Sequence, residues 1–178
     1  MPRFLGIIFH VICLEIVIAQ RMVCRIEPKV EIKTRMVNPS SKDGINNSHQ
    51  LSAESGGLRC LKSVHGTYLR AYDNEWKVDM TSGPAKESEK WYVEDWHGKV
   101  VFKAIYSPGR FLRAHPDGRV DLVDRPISWE TWIPFKNNDG SWSFLSVHGQ
   151  WLSAHEDGSV STVEDCDADE HFWLEWWK

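Results

Sequence analysis

Eight histidines, one acidic run and ten tryptophans are the residues in this chain whose types could do chemistry. Imidazoles titrate near neutral pH and ligate metals, so the histidines are weighed first. A zinc site needs convergent ligands at a spacing that suits one ion, and no such cluster is visible. His65, His115, His148 and His155 instead fall at matching places of a repeated pattern, two of them in His-Gly turns at 65–66 and 148–149. They are expected to serve turns and strand packing. The run Glu164-Asp165-Cys166-Asp167-Ala168-Asp169-Glu170 lacks the EF-hand arrangement and is expected to be a solvated loop. No metal or cofactor is therefore expected. Nucleophile elbow, phosphate-cradling loop and triad order are all missing from the sequence, and spacing alone pairs no carboxylates for glycoside hydrolysis. The chain is expected to bind rather than to catalyse.

Tryptophan is the residue type that fits this expectation. Its amphipathic ring suits both sugar stacking and protein contact surfaces. Trp76, Trp96, Trp142, Trp176 and Trp177 lie outside the repeated pattern and are the candidate binding residues.

The elements that must hold these residues can be read from the repeat. Leu69, Leu112 and Leu152 are spaced 43 and 40 residues apart (112 − 69 and 152 − 112). Each is preceded by an aromatic residue and followed two places on by Ala71, Ala114 or Ala154, which puts Leu and Ala on one strand face. Gly66, Gly109 and Gly149 start the units. Asp117-Gly118 and Asp157-Gly158 are hairpin signals, with Asp73-Asn74 in the same slot of the first unit. The returning strands carry Val78 and Met80, Val120 and Leu122, Val160 and Thr162. Glu89-Lys-Trp91, Glu130-Thr-Trp132 and Glu170-His-Phe172 close the units. A four-stranded unit of this length cannot bury its apolar face alone, so three copies must pack together. A three-bladed propeller falls below the usual minimum of about four blades. The expected fold is all-β: a β-trefoil over residues 58–178, with repeats at about 58–100, 101–140 and 141–178.

Upstream of this domain the composition changes. Residues 1–19 read as a signal peptide, with Arg3, an apolar run and Val17-Ile18-Ala19 before a cleavage point at Gln20. Residues 20–57 contain no aromatic residue and are expected to form a flexible polar and basic arm. Asn46-Asn47-Ser48 in that arm is a glycosylation sequon at Asn46. Residues 21–42 hold six Lys/Arg against two Glu, a net of +4, whereas residues 43–178 hold 14 Lys/Arg against 22 Asp/Glu, a net of −8. An acidic domain is a poor partner for phosphate backbones, so nucleic acid is excluded, and the mature form is expected to have no membrane segment. Loss of the signal removes Cys13 and leaves Cys24, Cys60 and Cys166, an odd number whose pairing spacing does not decide.

Residues 58–178 resemble the fascin-type β-trefoil. The resemblance is carried by the three aromatic-Leu-x-Ala-His/Tyr runs and above all by LSAHEDGSVSTVEDCDADEHFWLE at 152–175. It implies the fold. Fascins resemble four such trefoils in tandem and bundle actin through more than one of them, whereas this chain has one, so no actin-contact residue is carried over. The Gln-x-Trp of ricin-type lectins is absent, since Gln150 directly precedes Trp151. The leading expectation is a secreted, non-enzymatic module that binds a glycan or an extracellular protein. The alternatives are an intracellular fascin-like actin-associated protein and a trefoil-type protease inhibitor.

Overall fold

The computed structural model describes residues 56–72, 75–106 and 108–176. The signal peptide, residues 20–55 of the arm with Asn46 and Cys24, the Asp73-Asn74 turn and Trp177 lie outside them, whereas Gly57, placed at the end of the arm, opens the first strand. Twelve short strands run in chain order: β1 (Gly57–Ser63), β2 (Tyr68–Ala71), β3 (Val78–Thr81), β4 (Trp91–Trp96), β5 (Lys99–Ala104), β6 (Phe111–Ala114), β7 (Val120–Val123), β8 (Trp132–Lys136), β9 (Trp142–Ser146), β10 (Trp151–Ala154), β11 (Val160–Val163) and β12 (Phe172–Trp176). The first and fourth strands of each four-strand unit pair antiparallel around a closed ring, β1–β4–β5–β8–β9–β12 and back to β1. Closure leaves the ring no free edge. The second and third strands form the hairpins β2–β3, β6–β7 and β10–β11, which cap one end of the barrel. This is the β-trefoil expected from the repeat.

The repeated residues build the core in layers. Leu69, Leu112 and Leu152, with Ala71, Ala114 and Ala154, are fully buried in one cluster. Leu61, Phe102 and Phe144 hold the same place on the first strand of each unit, and Trp91, Trp132 and Phe172 the same place on the fourth. The indole Nε1–H groups of Trp91 and Trp132 donate to the carbonyls of Leu69 and Leu112, so these buried rings leave no donor unpaired.

Two further devices lock the repeat. Each closing glutamate is buried and folds its carboxylate back to accept a backbone N–H three residues earlier. Glu89 takes Lys86, Glu130 takes Ile127 and Glu170 takes Asp167, at 2.5, 2.7 and 2.5 Å. The hairpins are also bonded head to tail around the pseudo-threefold axis: Met80 N–H to Gly158 O, Leu122 N–H to Trp76 O, and Thr162 N–H to Gly118 O. A Cβ on Gly118 would sit 3.1 Å from Thr162 O and one on Gly158 3.3 Å from Met80 O, both at positive φ. Asp-Gly at these hairpins thus allows two backbones to approach as well as turning the chain.

Candidate functional site

Strand alternation assigns the outer face. On β2, β6 and β10 the Leu and Ala point into the core, so the residue between them points away from it. That residue is Arg70, Arg113 or Ser153, and its cross-strand partner is Asp79, Asp121 or Ser161. Two places on stand Tyr72, His115 and His155. The same hairpin position therefore recurs three times with different side chains.

In the first unit Arg70 grips Asp79 with two charge-assisted hydrogen bonds, at 2.8 and 2.6 Å, and Tyr72 OH donates to the same carboxylate at 2.7 Å. In the second, Arg113 grips Asp121 at 2.7 and 2.8 Å, and His115 Nε2 lies 2.9 Å from Asp121 Oδ2. Burial alone would raise these carboxyls, but the hydrogen bonds from Arg70 and Tyr72, and from Arg113 and His115, outweigh it and hold Asp79 and Asp121 below the ordinary value. The third unit has no such clasp. His155 Nε2 meets Ser161 Oγ at 2.6 Å, and the buried Ser153 Oγ has no hydrogen-bond partner.

Beside this position lies the residue just before each closing glutamate: Ser88, Trp129 and Asp169. Trp129 is the aromatic of the three and is 38% exposed. Its ring meets His115 edge to face at 5.6 Å and His148, from the next unit's Ser-Val-His-Gly turn, at 5.0 Å. His148 Nε2 is also 3.2 Å from the carbonyl of Ala114, which fixes the imidazole against the β6 end. Ile127, two residues before Trp129, and Val147, directly before His148, are both exposed. The second unit thus presents an exposed indole walled by two imidazoles, with a fixed guanidinium–carboxylate pair next to His115. His115 stands just past β6 and His148 in a turn, and from these places the two frame Trp129.

The tryptophans expected from the sequence do not gather into one site. Trp76 is exposed on the first hairpin and stacks on Arg110, whose guanidinium carbon lies 4.1 Å from the ring centroid. Trp96 is exposed at the end of β4 and meets His97 edge to face. Trp176 covers the buried Arg59 with one face of its ring and is otherwise exposed. Trp142 is a correction. It is 4% exposed and belongs to the core, so no ligand reaches it. Its place on β9 is two residues before Phe144, on the same face, and this parity was a readable signal. Trp129 is not among the residues expected from the sequence. The signal that would have found it is its slot in the repeat, where the other units carry Ser88 and Asp169.

One cluster has the composition of a catalytic triad. Ser141 Oγ and Asp139 Oδ2 each lie 3.0 Å from His171 Nδ1, and Ser141 Oγ donates to Asp139 Oδ1 at 2.6 Å. Acyl transfer needs histidine between serine and acid, one ring nitrogen for each. Here one nitrogen faces both and the hydroxyl donates straight to the carboxylate. The trio fastens the turn before β9 to the start of β12. Among the described residues no three His, Cys, Asp or Glu side chains converge to hold a metal ion. Cys60 and Cys166 are both buried and form no bridge with each other; burial raises the Cys60 thiol to about 11.

No family model and no curated protein matches this chain. Solved structures do match it. SeviL bound to asialo-GM1 saccharide is 15% identical with a TM-score of 0.61, over 69% of this chain and 99% of that one. A GlcNAcα1-4Gal-releasing endo-β-galactosidase from Clostridium perfringens is 16% identical with a TM-score of 0.60, over 68% of this chain and 32% of that one. At these identities the likeness shows a shared fold, and in the second case it spans about a third of the larger protein.

Proposed function

We propose that this trefoil is a non-enzymatic carbohydrate-binding module whose principal contact is Trp129. The observation that carries the reading is the exposed indole framed by His115 and His148, beside the Arg113–Asp121 pair. A sugar ring offers an apolar face to stack and hydroxyls to bond, and this group supplies both kinds of partner in a preorganised frame. Two structures of the same fold, one holding a saccharide and one belonging to a galactosidase, support the choice of ligand class without naming the sugar. The fascin-type resemblance rests on Leu69, Leu112, Leu152 and their alanines. All of them are buried, so it speaks for the scaffold and not for actin.

The module acts outside the cell in this reading, because residues 1–19 have the pattern of a cleaved signal. Protein made in its own cells should begin at Gln20, and mass spectrometry of the secreted product checks this. Screening the full chain against immobilised glycans should find a retained class, and Trp129→Ala should weaken retention at least about tenfold, or ~1.4 kcal/mol. Retention of no glycan, or equal retention by the variant, would overturn the proposal.

A further inference from the structure

The frame around Trp129 holds two hydrogen-bonding atoms that the fold itself leaves unused. His148 Nε2 lies 3.2 Å from the Ala114 carbonyl and His115 Nε2 lies 2.9 Å from an Asp121 carboxylate oxygen. Both partners can only accept, so each ring carries its proton on Nε2. A neutral imidazole in that form keeps a lone pair on Nδ1. Neither Nδ1 has a protein partner. Neither is enclosed, because the Ser153 hydroxyl is the only fully buried, unpartnered side-chain polar atom among the described residues. Both lone pairs therefore open to solvent. Their ring centroids are 5.6 and 5.0 Å from that of the indole, close enough for a sugar stacked on Trp129 to meet them.

The charges around the frame are already matched. Arg113 pairs with Asp121, Arg119 with Asp117 and Arg110 with Asp124, and the buried Glu130 carboxylate accepts the Ile127 N–H. Asp121 and Asp117 are the acids that act on His115, whereas His148 is bonded to no charged side chain among the described residues. Arg125, exposed four residues before Trp129 and without an ion pair among the described residues, is a single standing cation. Residues 43–178 carry a net charge of −8, and the field of such a domain opposes an anion. With its imidazoles neutral, the frame thus offers lone pairs rather than charge. Lone pairs accept hydroxyl or amide protons and repel a carboxylate. Acid reverses both properties, since a proton on Nδ1 makes each acceptor a donor and adds a positive charge.

We infer that His115 and His148 make the Trp129 site select uncharged glycans near neutral pH, and that protonating the pair turns its preference towards acidic glycans. This rests on the carbohydrate reading of Trp129 and adds the charge class of the sugar and its control by acid. Proton uptake by the rings and binding of a carboxylate then favour each other, as linkage requires. Immobilised probes carry a sugar with and without a carboxylate: galactose and galacturonic acid, glucose and glucuronic acid, lactose and 3′-sialyllactose. At about pH 8 the neutral member of a retained pair should bind the full chain at least about fivefold better than its acidic partner. At about pH 5 that ratio should fall at least about fivefold. The lower pH stays above the ordinary carboxylate value of about 4, so the Asp79 and Asp121 clasps remain formed.

His115→Gln and His148→Gln should each shrink the change in ratio, and the double variant should abolish it. Should the double variant not fold, His148→Gln alone decides, because a glutamine amide can still donate to the Ala114 carbonyl. A ratio that stays constant with pH, or that moves as fully in the folded variants as in the native chain, contradicts the inference. Imidazole nitrogen spectra of the full chain without glycan give a second reading. Both rings should carry the proton on Nε2 at about pH 8, and an Nδ1–H form of either overturns the inference. Trp129→Ala separates the two levels. Unchanged retention in that variant, or retention of no probe by the native chain, defeats the carbohydrate reading and the charge selection together. Lost retention in the variant with a constant ratio in the native chain defeats the charge selection alone.

Discussion

The second and third units share a backbone position and differ in what they do with it. The second closes its outer face with Arg113, Asp121 and His115 and then sets an exposed Trp129 beside the clasp. The third removes both members of the clasp, leaves Ser153 unpartnered and puts Asp169 where the indole stood. Their cores hardly differ, since Leu112 and Leu152, Ala114 and Ala154, Trp132 and Phe172 occupy the same layers. Core positions are held by packing around a threefold axis, where a change of one methylene is felt. Outer positions lie outside that shared packing, and there the copies are free to diverge.

The comparison can be broken most severely from the inside. Leu112→Ala and Leu152→Ala should each cost about 2–5 kcal/mol, and nearly the same amount, because both side chains are fully buried in one cluster. Denaturant titration checks this. A cost confined to one unit would mean that the core is not shared.

Outside the core the units should separate. Asp121→Ala strands the Arg113 guanidinium and His115 at a partly exposed site. A loss of about 2 kcal/mol is expected there, less than for a fully buried pair because solvent screens it. Ser161→Ala removes a single neutral partner of His155 and should cost at most ~1 kcal/mol. Equal losses would erase the distinction drawn between a clasped and an open position.

Acid should find the clasps as well. The folded-state values of Asp79 and Asp121 lie below those of the unfolded chain. Their stabilisation is therefore fully present above the ordinary carboxylate value of about 4, and is lost as pH falls through that value and on through the lowered ones. Melting temperature followed from pH 6 towards pH 2 should drop along this limb, and the paired variant Asp79→Asn with Asp121→Asn should flatten it. An unchanged limb would place the acid sensitivity elsewhere.

The smallest effect is also the one with the least expected sign. Ser153→Ala removes a buried hydroxyl that has no partner, so it should leave thermal stability unchanged or raise it by ~0.5–1 kcal/mol. A clear destabilisation would show that the hydroxyl is satisfied in solution.

The barrel and its threefold division were legible because Leu, Ala, Gly and the closing Glu recur wherever packing or a backbone bond demands them. Even the role of Glu89, Glu130 and Glu170 was visible as a repeated position, although its chemistry, a carboxylate folded onto a backbone N–H, was not. The sites were far less legible. Position outside the repeat singles out Trp76, Trp96 and Trp176, which cap or stack on single arginines or sit at a strand end, together with the core residue Trp142. Trp129 and Ser153 become visible only when the repeat is read column by column for the residue that breaks it. Only the closed barrel places His148 of one unit beside Trp129 of the preceding one.

Trp129, and not another exposed tryptophan, is proposed to meet the ligand. Indole Nε1–H signals resolve the tryptophans individually, so the most direct measurement is a titration of the full chain with the glycan that screening selects. The Trp129 signal should move furthest, and His115 and His148 should respond at the same midpoint. Movement of Trp76, Trp96 or Trp176 with Trp129 unchanged would contradict it.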